Sequence, residues 1–176
     1  MNIRLIFTFV FSMLTVQLLA SEKDTSSFEP EQIDYCAIEG TAIDNLIDTA
    51  VTCIGTPYKY GGSSKEGFDC SGFLGFVFQS YCGDLPRSSS AISQIGNQIE
   101  RKDIQKGDLI FFKGRNLSSN SIGHVSFVTE VCDGKIRMIH ATRRGVIEDV
   151  LEEISYYDAR YLFAIRLDYP QILSLY

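Results

Sequence analysis

The sequence predicts an α+β fold, with N-terminal helices packed on one face of an antiparallel β-sheet. Three observations lead there. Apolar residues recur at helical spacing in the first half of the chain. After Asp103 the apolar runs become short and rich in β-branched and aromatic residues. Two of those runs flank an Asp133-Gly134 pair, a hairpin-turn signal. Helices first and a strand meander afterwards is the order of an α+β domain.

The 176 residues suffice for one domain with its own core. Hydrophobic residues make up 45% and charged residues 22%, as in a globular protein. The net charge of −6 and pI near 4.9 repel phosphate backbones, so nucleic acid is not expected as a partner.

Residues 1–20 carry one charge, Arg4, and an apolar run from Leu5 to Leu19 followed by Ala20-Ser21. That is the layout of a secretory signal peptide, and the run is short for a membrane span. Export to the periplasm, cell envelope or medium is expected, without stable membrane insertion after cleavage. Residues 21–40 are polar and acidic and read as a flexible arm. Residues 41–168 read as the folded domain and 169–176 as a tail; a monomer is expected.

Within the domain, Ile43, Leu46, Ile47, Ala50, Val51 and Ile54 mark a first helix, stopped by Gly55 and Pro57. A Tyr- and Gly-rich loop follows. A second helix starts near Cys70, is apolar on most sides, and ends at Cys82-Gly83. Strands are expected over 108–112, 124–131, 135–141, 146–150 and 161–167, with a polar loop over 116–121.

There are five cysteines. In an oxidising compartment an odd count leaves one thiol free, which suits one reactive Cys and four candidates for pairing, Cys36, Cys53, Cys82 and Cys132. The alternative is that Cys53 and Cys82 are buried small residues. Cys70 is the candidate nucleophile. Asp69 is a good N-cap, and a Cys in the first helical turn lies where the macrodipole favours an anion. That effect is worth about 0.3–2 kcal/mol, against about 1.36 kcal/mol per pKa unit, so the dipole lowers the thiol pKa by roughly one unit. A nearby imidazolium is needed for the rest.

The chain has two histidines, His124 and His140, flanking the Asp133-Gly134 turn. A two-residue turn pairs Cys132 with Lys135 and sends the two rings to opposite faces. A three-residue loop pairs Val131 with Lys135, sets Ser126 opposite His140, and puts both rings on one face. The three-residue loop is expected, because catalysis needs both rings near one sulfur.

Six segments occur in order: Gly55-Thr56-Pro57-Tyr58-Lys59-Tyr60-Gly61-Gly62, Asp69-Cys70-Ser71-Gly72-Phe73, Leu85-Pro86-Arg87-Ser88-Ser89, Gly107-Asp108-Leu109-Ile110-Phe111-Phe112, Gly123-His124-Val125 and Ile139-His140-Ala141. Together they resemble the NlpC-type family of cell-wall cysteine peptidases. The resemblance implies a papain-like fold and hydrolysis of peptidoglycan stem peptides, usually between γ-D-glutamate and a diamino acid, with no cofactor and no metal. It implies Cys70 as nucleophile, His124 as general base and His140 as the residue that orients it. Tyr58 is then a candidate oxyanion donor, and Asp69, Ser71 and Ser89 are candidate substrate contacts. Ser88 and Ser89 read equally as a helix cap. Arg87 is a candidate partner for a substrate carboxylate, whereas Arg143 and Arg144 read as solvated surface. Tyr60 reads as packing, and Gly61 and Gly62 as turn geometry. Three alternatives remain open: an amidase or acyltransferase on the same residues, a zinc site, and a catalytically silent wall-binding module.

Overall fold

A computed structural model describes residues 35–168. The stretches expected to be a signal peptide (1–20) and a tail (169–176), and the expected arm up to residue 34, lie outside the described residues.

Helix α1 (Tyr35–Val51) begins within the stretch read as an arm. Its buried side is Ala42, Ile43, Leu46 and Ala50. A turn carries the chain to Gly55, whose φ of 90° suits only glycine. There the Gly55 N–H donates to Val146 O and the Val146 N–H to Thr56 O, tying the loop to the sheet. A short hairpin, β1 (Ser63–Ser64) and β2 (Gly67–Phe68), leads into α2 (Cys70–Cys82). Asp69 is the N-cap of α2 and its carboxylate accepts the Gly72 N–H at 2.7 Å. Gly83 closes the helix at φ 70°. A single turn, α3 (Ser89–Ile92), follows.

Six strands make the main sheet: β3 (Asn97–Ile99), β4 (Leu109–Lys113), β5 (Ile122–Cys132), β6 (Lys135–Thr142), β7 (Gly145–Val150) and β8 (Tyr161–Arg166), in the order β3-β8-β4-β5-β6-β7. Neighbouring strands in it pair antiparallel. The fold is therefore α+β. One face of the sheet buries Phe111, Val125, Phe127 and Ile139 against α1 and α2. The other face is covered too, by a smaller cluster of Ile110, Phe112, Val128, Met138 and Leu151. Tyr157, in the short helix α4 (Ser155–Asp158), packs on that second cluster.

The hairpin turn differs from the expectation. Asp133 (φ 52°) and Gly134 (φ 74°) form the two-residue turn, and Cys132 pairs with Lys135. Asp and Gly are the residues that tolerate two successive left-handed positions, so the local sequence decides the turn. The register then shifts between Val128 and Glu130, where Thr129 is an extra residue on β5. This β-bulge moves the pairing by one, to Phe127 with Ile139. Counting on, Ser126 comes opposite His140, as expected, but through the bulge rather than the loop.

Asp108, at the head of β4, is buried and holds a bidentate pair with Arg166 at 2.8 and 2.9 Å, and it also accepts the Gln105 N–H. Removing Arg166 strands a buried carboxylate. Arg166→Ala is expected to lower stability by about 2–4 kcal/mol, below the full buried-pair loss because Arg166 remains 35% exposed. Urea unfolding checks this: the midpoint should fall at unchanged slope. The double variant D108N/R166M should recover part of the loss.

Candidate active site

The loop that leads to Cys70, the candidate nucleophile, is built around Asp69. Its two oxygens accept N–H groups of Gly61 and Gly72, the Ser71 hydroxyl and both terminal nitrogens of Arg87. Arg87 also donates to Gly62 O and to the Ser71 hydroxyl. Burial pushes Asp69 up, but the Arg87 and backbone donors outweigh it and hold the carboxyl below its ordinary range. A Cβ on Gly72 would lie 2.1 Å from Gly62 O, so only glycine lets the first turn of α2 seat on this loop. The network fixes where Cys70 emerges.

These contacts bear on four expectations. Arg87 is committed to Asp69 and is not a free cation for substrate. Ser71 is buried, with its hydroxyl bonded to Asp69 and to Arg87 O. Asp69 itself is 13% exposed and fully engaged. Ser88 caps α3 through the Ala91 N–H, while Ser89 is the first residue of that helix and is half-buried.

The β5–β6 pairing ends at Phe127–Ile139, short of Val125. The N–H of Val125 faces the Cys70 sulfur, as do those of Ser71 and Cys70, and all three favour the thiolate. Burial acts the other way and is the larger effect, with the Asp69 charge adding to it, so the Cys70 thiol is pushed above its ordinary 9.0.

His124 precedes Val125. Its Nε2 lies 3.0 Å from His140 Nδ1, and His140 Nε2 lies 3.0 Å from an Asp149 oxygen. Arg144 bonds the same oxygen. Asp149 is the residue that sequence reasoning missed, and Arg144 is its partner rather than solvated surface. Burial raises the Asp149 carboxyl, but His140 and Arg144 more than reverse this and keep it ionised. A carboxylate only accepts, so it assigns the proton on His140 to Nε2. His140 Nδ1 is then an acceptor, His124 Nε2 donates to it, and His124 Nδ1 keeps a free lone pair. The relay therefore presents an unprotonated nitrogen as a base.

The rings are enclosed. Tyr157 stacks on His124 with centroids 5.5 Å apart and meets His140 at 4.7 Å, and Phe112 lies 5.9 Å from His124. Burial and the neighbouring His140 hold His124 well below 6.5. Burial also lowers His140, against the opposing pull of Asp149. Burial and the Asp149 charge push the Tyr157 phenol up to about 12. The resting site thus favours a neutral thiol and a neutral imidazole, not the imidazolium expected from the sequence.

A cleft of about 1090 Å³ opens on His124. Tyr58, Tyr60, Tyr156 and Tyr157 form its aromatic walls. Tyr60 is 91% exposed there, so it is not a packing residue. Burial, with Cys70 and Asp69 nearby, raises the Tyr58 phenol and keeps it a donor. Lys113, Arg115, Arg143, Arg144 and Arg160 line the cleft, and among the described residues no acidic one does. Cys53 is buried and Cys132 exposed, both as free thiols, so neither pairs. The side chains of Cys36 and Cys82 lie outside the described residues.

A family model described as the NlpC/P60 family matches residues 55–166. The chain belongs to the NlpC/P60 family. A γ-D-glutamyl-L-lysine dipeptidyl-peptidase of Bacillus cereus is 37% identical over 121 residues, 69% of this chain and 34% of that protein. A probable endopeptidase NlpC of Escherichia coli is 34% identical over 117 residues, 65% of this chain and 71% of that one. The crystal structure of a NlpC/P60 family protein from Bacillus cereus superposes with a TM-score of 0.62 at 36% identity, covering 70% of this chain and 39% of that one. The chain thus spans about a third of the first relative's length. In this NlpC/P60 domain the segment 107–112 runs along β5 and brings Phe112 beside His124, while the segments at 55–62, 69–73 and 85–89 meet around Asp69.

Three outcomes follow from the relay and the buried thiol. Asp149→Asn removes the acceptor-only anchor and lets the His140 tautomer invert, which protonates His124 Nδ1. kcat is expected to fall about 10- to 100-fold with KM little changed, and ¹⁵N NMR of the two rings should show the inverted tautomer. The lowered His124 pKa keeps the base neutral into mild acid, so the acid limb of kcat/KM is expected below pH 6.5. The raised thiol pKa makes Cys70 alkylation by iodoacetamide climb roughly tenfold per pH unit up to the alkaline range. A flat alkylation rate from mildly acidic pH upward would contradict the neutral pair.

Proposed function

We propose that the chain is an exported cysteine endopeptidase that hydrolyses peptidoglycan stem peptides at the bond between γ-D-glutamate and a diamino acid. The observation that carries this reading is the hydrogen-bonded series Asp149–His140–His124, which leaves His124 Nδ1 unprotonated one residue before Val125, whose N–H faces the Cys70 sulfur. The relatives named for γ-D-glutamyl bonds and for endopeptidase activity support the substrate class. A cationic cleft on an acidic chain suits a stem peptide with free carboxylates. The leader-like residues 1–20 support export to the cell envelope.

His124 Nδ1 takes the Cys70 thiol proton as the sulfur attacks the amide carbonyl carbon. Proton removal in concert with attack suits a neutral pair. The Cys70 N–H and the Tyr58 hydroxyl are donors for the tetrahedral oxyanion. Collapse breaks the C–N bond, and His124 returns the proton to the departing amine. Water, deprotonated by His124, then attacks the thioester, releasing the γ-glutamyl carboxylate and restoring the thiol. His140 and Asp149 act through His124 as positioning residues.

Digestion of purified muropeptides with mass analysis of the fragments tests this reading. The expected products end in γ-D-glutamate on one side and begin with the diamino acid on the other. Cys70→Ala should lower their formation by at least about 1,000-fold at unchanged far-UV CD. Fragments cut at another amide, or wild-type turnover by the Ala variant, would refute the assignment.

A further inference from the structure

We propose that Lys113, Arg115 and Arg160 form a carboxylate-binding subsite for the residue on the amine side of the scissile bond. By this subsite the enzyme selects a diamino acid whose side chain ends in a carboxylate beside its ammonium over one that ends in the ammonium alone. The inference rests on the endopeptidase reading above.

Topology sets the two sides of the site apart. His124 starts β5, in the middle of the sheet order. The loop bearing Tyr58 is tied to the start of β7, on one side of His124. Lys113 ends β4 and Arg115 follows it, while Arg160 immediately precedes β8, on the other side. Both sides line the same cleft. Because His124 hands its proton to the departing amine, the amine-side residue must lie within its reach, where the cations of β4 and β8 line the cleft.

The charges there are unspent. Among the described residues, neither Lys113, Arg115 nor Arg160 is paired with a carboxylate, in contrast to Arg87 and Arg144. Lys113 donates to Leu117 O, which steadies the loop. Arg160 is held by Tyr156, through the backbone oxygen at 3.1 Å and over its ring at 3.7 Å. Its Nε is buried and bonds to nothing. Arg115 is exposed on the cleft. A guanidinium fixed over an aromatic ring, beside two more cations and, among the described residues lining the cleft, no acid, suits a carboxylate. A lysine side chain on the amine side would bring a bare ammonium into the same field and be repelled.

The test compares two synthetic peptides, L-Ala-γ-D-Glu-L-Lys and L-Ala-γ-D-Glu-meso-diaminopimelate. The wild type should favour the second in kcat/KM by about tenfold or more at low salt, with the margin shrinking as salt is added. Arg115→Glu should move the ratio by at least about tenfold toward lysine, lowering one rate and raising the other, chiefly through KM. Arg115→Lys should keep the preference. A wild-type ratio near one, or a ratio that Arg115→Glu leaves alone, would overturn the subsite while sparing the endopeptidase reading. If neither peptide is cut, that reading fails instead. Calorimetric binding of both peptides to the Cys70→Ala protein then decides the subsite, and equal affinities would overturn it.

Discussion

The hydrogen bond between His124 and His140 constrains the rest of the site. It requires two side chains from neighbouring strands to share a face, sixteen residues apart across a turn that by itself would separate them. Asp133 and Gly134 have the two left-handed positions of the tight turn, and nothing else in the hairpin can change that. Thr129 resolves the conflict by bulging out of the ladder and resetting the register. One inserted residue brings the rings together. The same shift lets Phe127 and Ile139 face α2 while Val128 and Met138 face the second core.

What was legible follows from what each feature depends on. Cys70 at the start of α2 and its Asp69 cap are local, so the sequence displays them. The strand limits came close because β-branched runs end where the turns begin. The bulge had no signature, because Thr129 is an ordinary strand residue and its irregularity is settled by burial on both faces of β5. Asp149 carried a signal that went unused. An acid on the same strand face as Ile147 needs a partner, and the turn at Arg143-Arg144 sets Ile147 opposite His140, so that Asp149 is its diagonal neighbour.

The arginines were harder to sort, because residue type does not reveal which cations are already paired. Arg87 looks like a substrate ligand in the sequence and Arg144 like solvated surface, yet each is held by a carboxylate beside the site. Arg115 and Arg160 sit in unremarkable stretches and only the strand order brings them to one cleft. An acidic chain that places five of its sixteen cations around one opening has separated its charge. The paired ones hold the His140–Asp149 pair and the Asp69 loop in place, and in the proposed subsite the unpaired ones take the ligand.

The protonation state of the resting site turns on magnitudes. The helix dipole offers a thiolate about 0.3–2 kcal/mol, and three N–H groups face the sulfur as well. Burial of the thiol outweighs them, and the Asp69 carboxylate, needed to cap the helix, adds to the penalty. On the other side, the aromatic cage that fixes the His124 ring also makes its cation costly. The features that give the site its geometry are therefore the same ones that keep it neutral. In the proposed mechanism, charge separation is deferred to the moment of attack, when the oxyanion donors can stabilise the negative centre and Asp149, through His140, the positive one.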